Sequence, residues 1–287
     1  MVLDVHAFDP GRAGSLRALE TGPLGSTHGG WDPVRCSAFT LLRLAPRLFV
    51  DETAWRDARA RLRQVEGLSV RGVARVLGAC APRSVVHAAV HGPSLFEIAR
   101  ARAVAGRRLS WPELALVIGP LAEAVDALPI AHGLIGPRTI RLTAEGPVLT
   151  QYGLGHAIPA RSLAIAHLTE PAPGAAFGPE HWAPGHGAGR ASDVFALAAM
   201  VADLWGGPDA RERLRERPNQ PFLRVLAEGL RPEPAHRPRS AVAWFAALQA
   251  RSPRPFGPTD LDGEARSASP FAAAALNAPG DSALHPR

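Results

Sequence analysis

Between Ala131 and Glu180 the chain passes through an ordered succession of loop signals, and that order limits its fold more than any other feature of the 287 residues. A long apolar helix leads in. Ser110-Trp111-Pro112-Glu113 supplies a Ser cap, a Pro near the first turn and a Glu at the third helical position, while Leu114, Val117, Ile118, Leu121, Val125 and Leu128 line one face. The helix feeds Ala131-His132-Gly133-Leu134-Ile135-Gly136-Pro137-Arg138-Thr139, a short apolar hairpin, Gln151-Tyr152-Gly153, and then Gly178-Pro179-Glu180.

This order resembles the catalytic half of the bacterial serine/threonine protein kinase family, whose pattern is H-R-D-L-x-x-x-N, D-F-G and A-P-E. The resemblance implies an α+β, two-lobed protein kinase-like fold, with a small β-rich N-lobe and a larger helical C-lobe. Laid over this sequence, the catalytic base Asp falls on Leu134, the metal-binding Asn on Thr139 and the metal-binding Asp on Gln151, or on Thr150 in a register one residue away. None of these is acidic. Phosphoryl transfer rests on positioning and charge neutralisation. One charge pair about 4 Å apart is worth roughly 4 kcal/mol at an effective dielectric near 20, and each ~1.4 kcal/mol of barrier is a factor of ten in rate. The pattern therefore implies a catalytically inactive domain, a pseudokinase, whose cleft has no acidic side chains to hold magnesium against a triphosphate.

The positions that resemble the family most closely are architectural: His132, Gly153, Glu180, Asp193 and Arg237. In the family the acid at Glu180 pairs with a distant arginine, which matches Arg237 in Pro234-Ala235-His236-Arg237-Pro238. Ser192-Asp193-Val194-Phe195 resembles the start of the family's central C-lobe helix, whose Asp hydrogen-bonds the catalytic-loop backbone. Breaking a buried ion pair costs roughly 3–5 kcal/mol, so their joint presence implies that the scaffold itself is in use.

The nucleotide side of the resemblance is thinner. The chain contains no lysine, so all 32 basic residues are Arg. The phosphate-pairing lysine of the third strand, Phe39-Thr40-Leu41-Leu42-Arg43-Leu44, falls on Leu42 or, one residue over, on Arg43. Arginine's planar fork is not a lysine's point charge, and a GC-rich coding bias would also thin lysine. A glycine-rich loop is matched by Gly25 and Gly30, with Thr27 in place of the middle glycine; an ordinary turn between strands explains the same residues. Asp51 caps a helix running to Val65, in which the kinase glutamate falls on Asp57 or, in another register, on Arg61; an exposed i, i+4 pair between the two is the alternative. Strands are predicted over Val73–Gly78 and Ser84–Val90, followed by a hinge at His91-Gly92-Pro93 with Ser94 as the next helix cap. His87 faces the nucleotide pocket or is an ordinary strand histidine.

These readings divide the chain into an extension at 1–14, an N-lobe at 15–91, a C-lobe at 92–250 and a Pro/Ala-rich flexible tail at 251–287. The net charge of +6 is spread among acids, as in Arg211-Glu212-Arg213-Leu214-Arg215-Glu216-Arg217, which reads as a solvated helix face rather than a nucleic-acid surface. Cys36 and Cys80 form neither a zinc nor a disulfide pattern, and His181 and His186 are poorly spaced for metal. The start of the chain lacks signal-peptide character and no run is long enough to span a membrane, so a cytoplasmic protein is expected. By resemblance it binds another protein, an active kinase or its substrate, through the loop Leu154–Phe177 with Ser162 and Thr169, the helix beginning near Asp193, or the tail. No cofactor is expected. The alternatives are an ATP-binding sensor or a kinase with a non-standard site, using Arg43 and Arg138 on the phosphates, and an Arg-rich nucleic-acid adaptor.

Overall fold

The computed structural model describes residues 16–169, 177–183, 188–207, 210–216 and 220–252. The extension at 1–14, all but the first two residues of the tail, His186 and the prolines at 171 and 173 lie outside them. Five antiparallel strands form the first sheet in the order β1-β2-β3-β5-β4: β1 Arg17–Gly22, β2 Gly25–Asp32, β3 Ser37–Leu44, β4 Val76–Cys80 and β5 Ser84–Ala88. Helix α1, Glu52–Leu62, lies between β3 and β4 in sequence and starts where Asp51 accepts a hydrogen bond from Ala54 N at 2.8 Å. It buries Trp55, Ala58 and Leu62 in one apolar cluster with Leu42, Leu44 and Val76 of the sheet.

The second lobe is helical. It contains α2 Leu95–Val104, α3 Trp111–Ala127, α4 Leu154–Ala157, α5 Ala160–Thr169, α6 Arg190–Val201, α7 Ala210–Glu216, α8 Pro221–Gly229 and α9 Ala241–Ala250. Capping boxes open both α2, with Ser94 and Glu97, and α3, with Ser110 and Glu113. A buried ion pair joins the end of α2 to the start of α3, with Arg102 Nη1 2.6 Å from Glu113 Oε1. The apolar face of α3 meets α6, α8 and α9 in the main core, where Trp111 stacks edge-on against Phe222. Among the described residues no helix is long and apolar enough to cross a membrane.

Helix α6 departs from the reading of it as a partner surface: every residue from Ser192 to Val201 is buried. A helix apolar on all sides belongs in a core, and this one is the axis of the C-lobe.

A two-stranded ribbon, β6 Ile140–Thr143 and β7 Gly146–Leu149, carries the chain back under the first sheet. Leu149 N bonds Gly72 O and Ala74 N bonds Leu149 O, while Leu142 N bonds Pro93 O, so the ribbon is tied to both the N-lobe and the connection between lobes.

Candidate functional site

The lobes enclose a cavity of about 340 Å³, floored by Arg138, Thr150 and Gln151 and roofed by Thr27, Thr40, Leu42 and His87. The floor is built by the loop that α3 feeds. His132 Nδ1 accepts from Leu134 N at 3.3 Å, so its Nε2 carries the proton donated to Thr150 O at 3.1 Å. His87 Nε2 donates to Tyr152 O at 3.2 Å. Burial lowers both histidines to about 4, and they are neutral near pH 7. Beneath them Asp193 accepts His132 N on Oδ2 and Gly133 N on Oδ1, each at 2.8 Å. Burial pushes its carboxyl up to about 7 against the pull of those bonds and of Arg190.

Two residues here have left-handed backbone. Gln151 has φ 64, rare for a side chain with a Cβ. Gly153 has φ 87, and a methyl there would lie 2.8 Å from Val65 Cγ2 and 3.1 Å from Leu62 Cδ2, so both conformation and space require glycine. Between them Tyr152 is buried in the cluster shared with α1, its hydroxyl donating to Ile130 O at 3.3 Å.

At the far side of this loop, Arg237 holds Glu180 through two bonds, Nη1 to Oε1 at 2.6 Å and Nη2 to Oε2 at 2.8 Å. Burial alone would raise Glu180, but hydrogen bonds from Arg237 and Ser192 and the guanidinium charge hold it down to about 2.

No protein-family model matches the chain, and no curated protein matches it in sequence. The solved structures do. The kinase domain of PknI from Mycobacterium tuberculosis superposes with a TM-score of 0.66 at 18% identity, covering 84% of this chain and 95% of that one. A single-residue mutant of the same domain gives a TM-score of 0.67 at 17% identity, over 88% of this chain and 99% of the other. The fold is that of a protein kinase domain. At this identity the likeness is one of fold alone, so what the kinase cleft does here rests on its own residues.

The positions laid over the kinase motifs fall as follows. Leu134 is buried in the interlobe cluster instead of lining the cavity. Thr139 is spent within its own loop: its Oγ1 accepts Gly136 N at 3.0 Å and lies within 3.0 Å of Leu134 O and Gly136 O, one of which takes its proton. Thr150 and Gln151 both line the cleft, with Thr150 Oγ1 donating to Thr139 O at 3.0 Å. Gly133, at the arginine position of H-R-D, has φ 67 and carries no charge.

Several sequence assignments move. Leu42 faces the cleft whereas Arg43 is exposed, so the cation left open at Arg43 is on the wrong side of β3; successive strand residues alternate faces. Asp57 and Arg61 are exposed too, and α1 turns Trp55, Ala58 and Leu62 toward the sheet. The β1–β2 hairpin turns at Gly22-Pro23-Leu24-Gly25, one turn earlier than a loop over Gly25–Gly30. Gly25 keeps a turn role, with φ 139 and the Arg43 carbonyl where a methyl would stand. Gly30 is a mid-strand residue over which the Phe39 ring lies, its Cζ where a methyl would sit.

The cleft is not free of acids. Glu20 and Glu97 both line it, and Arg141 gathers them: Nη2 lies 3.3 Å from Glu20 Oε2, and Nη1 lies 3.4 Å from Glu97 Oε2 and 3.4 Å from Gly92 O. These three residues were not singled out from sequence. Glu97 is traceable as the capping-box acid after Ser94; nothing local marks the other two. Their place at the hinge end, engaged by a guanidinium and the Ser94 cap, does not suit them to a metal ion held against phosphates. Among the described residues no three His, Cys, Asp or Glu side chains form a metal-binding group. The residues present do not fit magnesium.

Proposed function

We propose that this domain keeps the kinase scaffold for protein contact and does not transfer phosphate. The observation that carries the reading is the floor of the cleft: the positions laid over base, Asn and Asp are a buried Leu134, a self-bonded Thr139 and a neutral Gln151, under a Leu42 where the family has a cation. A neutral amide and a leucine can neither neutralise a triphosphate nor take a proton from a hydroxyl.

The architectural bonds support the second half of the proposal. Asp193 on the loop backbone and Arg237 on Glu180 tie together the described residues around Glu180 and the loop at His132. Ile165 and Trp182 are exposed, at 48% and 41%. The partner proposed is another protein, an active kinase or its substrate. An assay of ATP hydrolysis and of phosphate transfer to a general protein substrate, in magnesium and in manganese, tests the first claim; turnover lost on Gln151→Ala would overturn it.

A further inference from the structure

Among the described residues one cation in the cleft has no counterion. Arg138 sits on the floor with its guanidinium carbon 3.9 Å from the centre of the Phe96 ring, and its Nε is buried without a hydrogen-bond partner. Among the described residues it is in no ion pair. A buried donor on a charged group left unmade is costly, and such groups call for an explanation. Stacking on an aromatic face fixes the plane of the fork and leaves its edges for an acceptor. Across the same cavity Thr27, Thr40, Thr150, Gln151 and the neutral His87 offer uncharged donors and acceptors. The other cation, Arg141, is already shared between Glu20 and Glu97.

From this arrangement we infer that the cleft is a metal-independent receptor for a small anionic ligand, whose phosphate or carboxylate group is received by the Arg138 fork. The inference rests on the reading that no metal is held here, because an anion without a metal must find its countercharge in the protein. A volume near 340 Å³ is at the small end of ligand sites, which favours a compact molecule, no larger than a mononucleotide, over an extended triphosphate. Arg141 acts as the latch. It joins Glu20 of the N-lobe to Glu97 and Gly92 at the hinge, so it closes the cleft mouth and puts two carboxylates near the entry of any anion.

The experiment is calorimetric titration of the purified domain with AMP, ATP and pyrophosphate, each in EDTA and in magnesium, using wild type, Arg138→Gln, Arg138→Lys and Glu20→Gln. Wild type is expected to bind AMP or pyrophosphate in EDTA more tightly than ATP and with no gain from magnesium, AMP and pyrophosphate separating a need for the base from a need for the anion alone. Arg138→Gln is expected to lose about tenfold or more in affinity, since a charge-assisted bidentate contact is removed. Arg138→Lys keeps the charge without the fork and should fall between; it also serves if the glutamine variant does not fold. Glu20→Gln, which loosens the latch and removes a repelling charge, should bind more tightly. No binding by wild type or Glu20→Gln at millimolar ligand, or equal binding by every Arg138 variant, would overturn the anion site and leave the inactive reading standing. Binding that requires magnesium would overturn both.

Discussion

Arg237 grips Glu180 with both terminal nitrogens of its guanidinium, at 2.6 and 2.8 Å, while its remaining donors reach the carbonyls of Arg231, Ala191 and Pro232. The pair pins the turn at Pro179–His181 to the segment before α9. Arg237→Met leaves a buried carboxylate without its partner, and should lower stability by about 3–5 kcal/mol in urea denaturation. The Glu180→Gln, Arg237→Met double variant should recover part of that loss. A single variant within about 0.5 kcal/mol of wild type would show that the pair does not bear on the fold.

Asp193 accepts hydrogen bonds from two buried amides, those of His132 and Gly133. Asp193→Ala strands both, at about 1–3 kcal/mol each. Asp193→Asn retains one acceptor and should cost less. Thermal melts of the three proteins check the order; equal melting temperatures would contradict it.

The pH profile has a worked sign. His87 and His132, lowered to about 4, are neutral in the fold but take up protons when unfolded below about pH 6.5. Asp193, raised to about 7, does the reverse and keeps a proton that the unfolded chain has lost. Two protons against one leave the unfolded state with nearly one more at pH 5, an excess that shrinks as the unfolded histidines lose their protons, so stability should rise with pH from about 5 to 6.5, by roughly 1 kcal/mol per unit at the lower end and by less toward the upper. His156 and His181, also lowered by burial, add in the same sense. The Glu180 contribution is complete above its ordinary range and is lost only as pH falls toward about 2. Denaturation midpoints across this range test the sign. A decline from pH 5 to 6.5 would contradict the burial of the two histidines.

Gly30 tests the hairpin register. A methyl at this position meets the Phe39 ring, so Gly30→Ala should cost roughly 1–3 kcal/mol as overpacking, and Phe39→Leu should relieve part of it. Were Gly30 a phosphate-loop residue the substitution would leave stability alone.

Much of this architecture is legible in the chain because its signals are local. Ser94 and Ser110 with their third-position acids, the Asp51 cap, and the Gly153 turn each lie within four residues of what they control. Glu180, Asp193 and Arg237 were readable from the order of motifs. The cleft was less so. Leu42 and Arg43 differ only in which face of β3 they take, which neighbouring strands decide. The hairpin was misplaced because glycines recur at 22, 25, 29 and 30, and only pairing of β1 with β2 selects the first two. Arg141 meets Glu20 across 121 residues and Glu97 across 44, contacts that no local pattern announces.

Whether the cleft can hold a divalent ion against a nucleotide decides the rest. Titrating Mn²⁺ into the protein with ATP, followed by electron paramagnetic resonance of the free ion, measures it directly. The free signal should match that of Mn²⁺ and ATP without protein, and Gln151→Ala should change nothing. Depletion of the free ion at stoichiometric protein, abolished by Gln151→Ala, would contradict the absence of a metal site.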